Sequence, residues 1–355
     1  MDDFLIIGGG IAGTSAGARL AALGRVTLLE TESALGYHAS GRSAALFEPN
    51  YGLAPTVALS RASADFFEAS GVLSPRGLMF IAGAGADEAF ERDVAAMGLE
   101  EIGAEAARAR VPVLDPAKVT RAGWHRAAWD IDTDRLIQGF AREIRAAGRV
   151  VTGAKAETIR RIDGGWEVET RGQSFTARVL VNAAGAWADD IARLAGIAPI
   201  GLTPKRRSMA RVAAPGGHDP RDWPMVIGAG ETWYMKPDAG ALLISPADAD
   251  PAEPHDAWAD DMVLAAGIAG WEAHVTTPVS RMIANWAGLR TFSPDGNLVI
   301  GRAPEDPTFL WCAGQGGYGF QTAPAASQLV ADLAGGRTPV IESETVAALD
   351  PARYA

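Results

Sequence analysis

The feature that most constrains the fold is a strand–glycine–helix–strand pattern at the start of the chain. An apolar run at residues 4–7 leads into Gly8, Gly10 and Gly13 in the spacing GxGxxG, and a second apolar run ends at Glu30. In a βαβ unit these glycines allow a tight turn, let a pyrophosphate approach bare backbone, and let the helix pack closely on the sheet. The pattern therefore predicts a Rossmann-like dinucleotide-binding unit.

The acid at the end of the second run narrows the choice of nucleotide. Glu30 follows Gly8 by 30 − 8 = 22 residues, the separation at which a carboxylate meets a ribose diol. The negative charge of Glu30 argues against a nucleotide with a 2′-phosphate, such as NADP. Ile11 and Ala12 would begin the helix whose free N–H groups and dipole attract the phosphates.

Length and composition indicate two domains and exclude several kinds of site. A chain of 355 residues is long for one compact core. Its single cysteine, Cys312, excludes an intramolecular disulfide and a cysteine metal cage. The segment Asp130, Asp132, Asp134 lacks the glycine and glutamate of a calcium loop, so we expect no metal and interpret Asp132 or Thr133 as a helix cap. The formal net charge of −11 argues against nucleic acid as a partner.

The apolar runs are all too short to span a bilayer, which needs about 20 residues. Cleavage of a leader would destroy a cofactor pattern that starts at Phe4. We therefore expect a cytoplasmic protein without an integral membrane segment, either free or peripheral at the inner face of the membrane.

The predicted elements alternate in blocks, which indicates interleaved rather than consecutive domains. A run at 179–185 is typical of a central parallel strand, and the part from 204 to 286 is rich in β-patterns. The other predicted elements are helices at about 54–69 and 136–147 and strands at 209–212, 232–235 and 241–245.

A second strand–glycine–helix unit lies near the end of the chain. An apolar run at 308–313 leads into a glycine-rich segment, 314–319, and a helix predicted at about 322–334. Two such units at opposite ends suggest a cofactor that is held at both ends. FAD fits this arrangement better than NAD.

Five further segments, taken with the opening unit, resemble the FAD-dependent D-amino-acid oxidase and dehydrogenase family, most of all its bacterial D-arginine dehydrogenases. The similarity runs nearly end to end. The segments are GYHASGRSAA (36–45), VNAAGAW (181–187), PKRRS (204–208), WAGLRTFSPDG (286–296) and GQGGYGFQTAP (314–324).

The resemblance implies an α/β fold in which a Rossmann-like FAD-binding domain (1–71, 129–204 and 289–355) is interleaved with a mixed-sheet, α+β substrate-binding domain (72–128 and 205–288). The position where some sarcosine oxidases attach flavin through cysteine is Gly288, so non-covalent FAD is expected. The residues expected to contact FAD are Gly8, Gly10, Ile11, Ala12, Gly13, Glu30, Gly41, Arg42, Ser43, Ala44, Ala45, Ala184, Gly185, Trp187, Gly288, Gly316, Gly317, Tyr318, Gly319, Gln321 and Thr322.

The resemblance also assigns the substrate contacts. Arg207 and Arg290 match two arginines that hold the substrate carboxylate, and a guanidinium fork suits a carboxylate well. Tyr51 and Tyr234 could add phenol donors or close the pocket. Gly317 would offer its carbonyl to the substrate amine, and Met225 and Ile227 would line the pocket wall.

The sequence departs from the family pattern where the substrate side chain would lie. Leu78 stands where the arginine-specific enzymes have a glutamate, and two nearby polar positions are Leu46 and Glu48. Either the pocket is more apolar, or Glu48 partly replaces the lost acid from another wall. We favour the apolar alternative, because a buried carboxylate without a partner is costly.

The reaction implied is hydride transfer from Cα of an amino acid to flavin N5, with the imino acid then hydrolysing. No obligatory catalytic base is implied, and the electron acceptor is a quinone, a protein or oxygen. One alternative is a 2-hydroxy-acid dehydrogenase, which would need a base that the matched pocket segments lack. Another is a flavoprotein subunit that passes electrons without oxidising an amino acid.

Overall fold

Two eight-stranded sheets and one three-stranded sheet form the frame of the molecule in a computed structural model that describes all 355 residues. The strands are β1 (Asp2–Ile7), β2 (Val26–Leu29), β3 (Leu46–Phe47), β4 (Leu73–Pro75), β5 (Leu78–Ala82), β6 (Glu100–Ile102), β7 (Arg121–His125), β8 (Trp129–Ile131), β9 (Arg149–Val151), β10 (Thr158–Ile162), β11 (Gly165–Thr170), β12 (Gln173–Asn182), β13 (Thr203–Ala213), β14 (Met225–Gly228), β15 (Tyr234–Asp238), β16 (Ala241–Ser245), β17 (Met282–Phe292), β18 (Val299–Arg302) and β19 (Phe309–Ala313). The α-helices are α1 (Ile11–Leu20), α2 (Ala54–Ala62), α3 (Ala64–Ser70), α4 (Asp87–Met97), α5 (Ala104–Arg110), α6 (Thr133–Ala147), α7 (Ala188–Leu194), α8 (Asp261–Glu272), α9 (Gly319–Ala334) and α10 (Ser343–Leu349).

The first sheet is built around β1, which pairs in parallel with β2 on one side and β12 on the other. The strands β9 and β19 extend the parallel part, and β10, β11 and β18 add antiparallel strands. Both faces of this sheet are covered, so β1 consists of a continuous apolar run, in which Leu5 and Ile6 are buried. The predictions of a Rossmann-like unit and of a central parallel strand near 179–185 are confirmed.

Glycines set how closely α1 lies on this sheet. A Cβ on Gly13 would stand 1.9 Å from the carbonyl oxygen of Gly8, and one on Gly17 would stand 2.6 Å from the Ile144 side chain. A side chain at either position would push the helix away from its neighbours. The third glycine of the GxGxxG pattern thus serves helix packing.

The second sheet has the strand order β17-β13-β16-β15-β14-β5-β7-β6 and is antiparallel except for the parallel pair β14 and β5. One face carries Met79, Val226, Met235 and Ile244 into a core shared with Trp271 of α8. The opposite face looks toward the first sheet and carries the candidate site. This is the mixed sheet that the sequence predicts.

The chain passes several times between the sheets. Strands of the first sheet come from 1–71, 129–204 and 289–355, and most of the second sheet comes from 72–128 and 205–288. However, β13 and β17 of the second sheet run across positions 204 and 288, so the cuts between domains fall inside strands there. The small sheet β3-β8-β4 joins segments from both parts.

The single helix expected at 54–69 is wrong, because α2 ends at Ala62 and α3 begins at Ala64. The hydroxyl of Ser63 donates to the carbonyl of Leu59 at 2.8 Å and accepts from the N–H of Ala325 at 3.1 Å. A side chain that bonds to backbone in this way competes with regular helix. The expected cap is confirmed, since the Asp132 carboxylate accepts from the N–H of Arg135 at 3.0 Å.

The helices of this fold all lack either the length or the apolar content to cross a membrane. Histidine, cysteine and carboxylate side chains do not gather in groups of three or more that could hold a metal ion.

Candidate functional site

One cavity of about 920 Å³ is lined by residues of both large sheets. Ile7 and Gly8 at the end of β1 line one part, and Leu78 of β5 and Met225 of β14 line another. The carboxyl ends of parallel strands are where open α/β sheets bind ligands. A cavity that spans from there to the second sheet has room for a long cofactor and a substrate together.

The nucleotide end of the cavity is organised by Glu30. Its carboxylate is buried and accepts from the N–H of Gly9 at 2.7 Å and from the N–H of Glu32 at 2.8 Å. The N–H of Ile11 donates to the Ser40 hydroxyl at 3.0 Å. His38 lies 3.0 Å from Glu32. Glu32, His38 and Ser40 line the cavity and were not predicted, although His38 and Ser40 lie within the segment 36–45 that carries the resemblance.

Bare backbone faces the cavity at three glycines. A Cβ on Gly10 would meet only the Ser40 hydroxyl, at 3.2 Å; one on Gly288 would meet nothing nearer than 3.5 Å; and one on Gly185 would meet nothing within 4 Å. The N-terminus of α1 begins at the first of these, where free N–H groups attract phosphate. The residues present therefore fit FAD, with its pyrophosphate at Gly10.

Arg42 lines the cavity and holds the loop at 41–45 in place. Its guanidinium donates to the carbonyls of Ala257 and Ala287, each at 2.9 Å, and pairs with the carboxylate of Asp256. The Ser43 hydroxyl accepts from the N–H of Ala45 at 3.1 Å. In this arrangement both side chains shape the loop, and the loop backbone is what faces the cofactor position.

Lys236 supports the same loop from the second sheet. It is 7% exposed, donates to the carbonyls of Ala44 and Ala45, and pairs with Asp130 at 2.8 Å. Ala45 has φ of +38°, a left-handed conformation that is costly for a residue other than glycine. The lysine is therefore a positioning residue for this strained turn, and no local pattern around position 236 indicates this role.

The structure places all but four of the residues expected to contact FAD in the cavity lining; Gly13, Gly41, Tyr318 and Thr322 lie behind it. Gly41 comes close to backbone, since its Cβ would stand 2.4 Å from the carbonyl oxygen of Gly36. Tyr318 packs its ring 5.4 Å from that of Tyr51, and the Thr322 hydroxyl donates to the Tyr318 carbonyl at 2.9 Å. Gln321 lines the cavity and donates to the Tyr51 carbonyl at 2.9 Å.

The two predicted arginines come together at the end of the cavity that the second sheet lines. We call it the substrate end, after the substrate contacts predicted there. In the β13–β17 pair, Lys205 lies opposite Arg290 and Arg207 lies opposite Gly288, so Arg207 and Arg290 are diagonal neighbours on one face. Neither guanidinium has a carboxylate partner, and Arg207 donates only to the carbonyl of Asp248, at 2.8 Å. Burial and the charge of Arg290 lower the pKa of Arg207. Arginine keeps its charge even so, so two positive charges lie side by side at this end of the cavity.

Gly317 lets Arg290 take this position. A Cβ on Gly317 would stand 2.9 Å from a terminal nitrogen of the Arg290 guanidinium. The neighbouring Gly316 has φ of +52° and donates its N–H to the carbonyl of Thr291 at 2.8 Å. The second glycine motif thus packs directly against the substrate clamp.

The two predicted tyrosines also line the substrate end, with different partners. The buried hydroxyl of Tyr234 has no partner in the protein, and the Arg207 guanidinium carbon lies 5.9 Å from its ring centre. The Tyr51 hydroxyl donates to Glu231 at 2.9 Å, and burial together with Glu231 raises the pKa of Tyr51. The Tyr234 hydroxyl is thus available as a donor, whereas the single proton of the Tyr51 hydroxyl is already donated to Glu231. Glu231, which has φ of +55° and lines the cavity, was not foreseen.

The remaining wall of the substrate end is apolar. Leu78 and Met225 are paired neighbours on β5 and β14, and Ile227 lies opposite Tyr234. Each of these side chains is buried, and Leu46 lies among the residues that complete the lining. Leu78, Met225 and Ile227 are therefore brought together on one face of the second sheet, and Leu46 joins them from β3 of the small sheet.

Glu48 is the acid in this wall, and the premise that it has no partner is wrong. It is 2% exposed and accepts from the N–H of Asn50 at 3.0 Å. Its other oxygen lies 2.8 Å from Nε2 of His125, although the two atoms are out of line for a good hydrogen bond. His125 lies 77 positions later in the chain, so local sequence could not reveal it.

Cys312 lies in the core beside the first sheet rather than in the cavity lining. Burial raises the pKa of its thiol to about 12. With glycine at position 288, the cavity lining contains no thiol to which a flavin could be attached.

Comparison with known proteins agrees with this geometry. The chain matches the model of the FAD dependent oxidoreductase (DAO) family over residues 3–333. It is 26% identical to a tRNA 5-methylaminomethyl-2-thiouridine biosynthesis bifunctional protein of Ralstonia nicotianae over 99% of this chain, but spans only 60% of that protein's length. It is 28% identical to a glycine oxidase of Pseudomonas aeruginosa, with 99% and 97% of the two chains covered. The crystal structure of glycine oxidase from Geobacillus kaustophilus shares the fold, with a TM-score of 0.84, 21% identity, and 100% and 99% of the chains covered.

Proposed function

The chain belongs to the FAD dependent oxidoreductase family, and we propose that it oxidises a D-amino acid with an uncharged, mainly apolar side chain to its imino acid. The observation that carries the proposal is the pair Arg207 and Arg290, two guanidinium groups that share one face and have no carboxylate partner. Such a pair suits an α-carboxylate, which accepts hydrogen bonds from both.

The arginines orient the substrate by its carboxylate. The unpartnered hydroxyl of Tyr234 can donate to the same carboxylate, and the carbonyl of Gly317 can accept from the amine. Two such anchors fix the position of Cα, and fixed geometry supplies much of the rate enhancement in reactions of this kind. The side chain then lies against Leu78, Met225 and Ile227.

The chemistry needs no basic side chain at the reacting carbon. When bound, FAD supplies the acceptor for the hydride that leaves Cα. The lone pair of a neutral amine forms the C=N bond as that hydride leaves, and water then converts the imino acid to a 2-oxo acid and ammonia. The pKa of Tyr51 is raised, so this phenol acts as a donor and not as a base.

The finer features of the proposal rest on different supports. The D configuration and the similarity to D-arginine dehydrogenases rest on the sequence resemblance. The similar glycine oxidases do not support either configuration, because glycine is achiral. The apolar preference rests on Leu78 and its neighbours. We propose a quinone, a protein or oxygen as the final acceptor.

Anaerobic reduction of the bound flavin tests the proposal without depending on that acceptor. The FAD-loaded protein is mixed with D- and L-norleucine, D- and L-leucine, and the matching 2-hydroxy acids, and flavin absorbance is followed. We expect bleaching by the D-amino acids. Bleaching by 2-hydroxy acids alone, or by none of these compounds, would show that the assignment is wrong, and bleaching by the L series alone would reverse the configuration.

A further inference from the structure

The buried pair of Glu48 and His125 has no part in the mechanism above. Glu48 lines the cavity, as do Leu46, Leu78 and Met225 of the apolar wall. One carboxylate oxygen accepts from a backbone N–H, and the other lies 2.8 Å from Nε2 of His125. The side chains of the two residues are 3% and 15% exposed, so neither is a surface charge.

The fold places this histidine beside the pocket wall. His125 ends β7 and lies directly opposite Leu78 of β5, which in turn pairs with Met225 of β14. Residues paired across a sheet point to the same face. Glu48 follows β3 of the small sheet, so the pair also joins the two parts of the molecule.

The electrostatic consequence depends on whether the carboxylate is neutralised. A bare carboxylate in an apolar wall would favour a substrate with an ammonium or guanidinium group at its end, because that cation would offset the cost of burying the charge. His125 in its protonated form, with Nε2 2.8 Å from the carboxylate, would supply this offset. A cationic substrate would then lose its hydration and gain no net opposite charge.

We propose that His125 neutralises Glu48, and that the pair acts as a charge filter which restricts the side-chain pocket to uncharged amino acids. The proposal rests on the function proposed above and adds a specificity-determining residue to it. Specificity of this kind comes from making the wrong ligand unfavourable, not from extra contacts to the right one.

Norleucine and lysine test the filter, because their side chains differ only by the terminal ammonium. The measured quantity is kcat/KM for lysine divided by that for norleucine, with the enantiomer that the wild type oxidises. His125→Gln keeps a side-chain N–H donor near Glu48 but removes the positive charge. We expect the ratio to rise at least about tenfold in H125Q, and to return to the wild-type value when Glu48→Gln is added.

Two single variants complete the comparison. His218→Gln removes an exposed histidine outside the cavity and should leave the ratio unchanged. Glu48→Gln alone should change the ratio less than about threefold, because a buried imidazole without its carboxylate partner favours the neutral form, so the pair again carries no net charge. A tenfold fall in E48Q would mean that the carboxylate attracts cations in the wild type, which would overturn the filter even if H125Q did not fold.

Ligands that cannot be oxidised separate this proposal from the reaction itself. Hexanoate and 6-aminohexanoate lack the α-amine, and their dissociation constants follow from changes in flavin absorbance or in Tm. Weak binding of 6-aminohexanoate to the wild type and stronger binding to H125Q would support the filter even if no amino acid reduced the flavin. If folded, FAD-containing H125Q has the wild-type ratio of lysine to norleucine turnover, the charge filter is wrong. The proposed oxidation of norleucine would still stand.

Discussion

The two ends of the cavity are built from different parts of the polypeptide. At the nucleotide end, the groups that we expect to contact FAD include the backbone at Gly10 and the carboxylate of Glu30, which belong to one βαβ unit. At the substrate end, they are side chains such as Arg290 that come from strands far apart in the chain. The first end therefore depends on where side chains are missing, and the second on which side chains are present.

The largest effect should come from Arg290→Ala at the substrate end. Loss of one charged partner of the substrate carboxylate should lower kcat/KM about a thousandfold, mainly through KM. FAD content should stay at the wild-type level, because Arg290 faces the substrate end. Steady-state kinetics with norleucine and the flavin absorbance of the purified protein measure the two quantities.

Arg290→Lys serves as the control, since it keeps the charge but loses the guanidinium fork. It should recover part of the loss. An unchanged KM for R290A with every amino acid that is turned over would remove the arginine from the clamp.

The next largest effect should come from a single methyl group at the nucleotide end. Gly10→Ala places a Cβ where only the Ser40 hydroxyl is near, so the fold should survive. The methyl group would occupy space that we assign to pyrophosphate, and should weaken FAD binding about fiftyfold. Equilibrium dialysis of FAD against the apoprotein gives the affinity.

The matched control is Gly139→Ala on α6, where a Cβ would meet only the tip of the Arg142 side chain, at 3.8 Å. That variant should bind FAD as the wild type does. Equal FAD affinity in G10A and wild type would place the phosphates elsewhere.

Lys236→Met tests the junction between the two ends. It removes the cation that holds the carbonyls of Ala44 and Ala45, while two N–H groups of Arg76 still donate to the other oxygen of Asp130. Because that carboxylate stays paired, we expect a loss of about 2 kcal/mol in unfolding free energy, less than for a fully orphaned buried charge. Urea unfolding of the apoprotein measures it.

If the turn at Ala45 shapes the flavin position, K236M should also bind FAD more weakly. A variant with full FAD affinity and lowered stability would restrict Lys236 to a structural role.

The smallest effect should come from Tyr51→Phe. The hydroxyl donates to Glu231, and its loss should change KM only about threefold, since Arg207 and Arg290 remain. Burial raises the pKa of Tyr51, so the phenol stays protonated well above the usual value near 10. The pH profiles of kcat/KM for wild type and Y51F should therefore run parallel up to pH about 10. A wild-type decline below that pH which Y51F lacks would contradict the raised pKa.

The βαβ unit and several strands of both sheets, among them β12, β16 and β19, could be predicted from the sequence because their signals are local. The spacing of Gly8, Gly10 and Gly13 indicates the βαβ unit. Strands are indicated by alternating apolar and polar residues or by continuous apolar runs. The break at Ser63 could not be predicted, since its hydroxyl accepts from the N–H of Ala325, 262 residues away. A side-chain bond across that separation leaves no local pattern.

The sequence by itself determined that this protein holds an adenine dinucleotide on a parallel sheet, because the glycines and Glu30 of that site are fixed by neighbours in the chain. Only the tertiary structure decided the electrostatics of the substrate end. It brought His125 to Glu48 and Glu231 to Tyr51, and it left Arg207 and Arg290 without carboxylate partners. The physical reason is that burial and pairing of charges depend on contacts between distant segments, which the order of residues along the chain does not display.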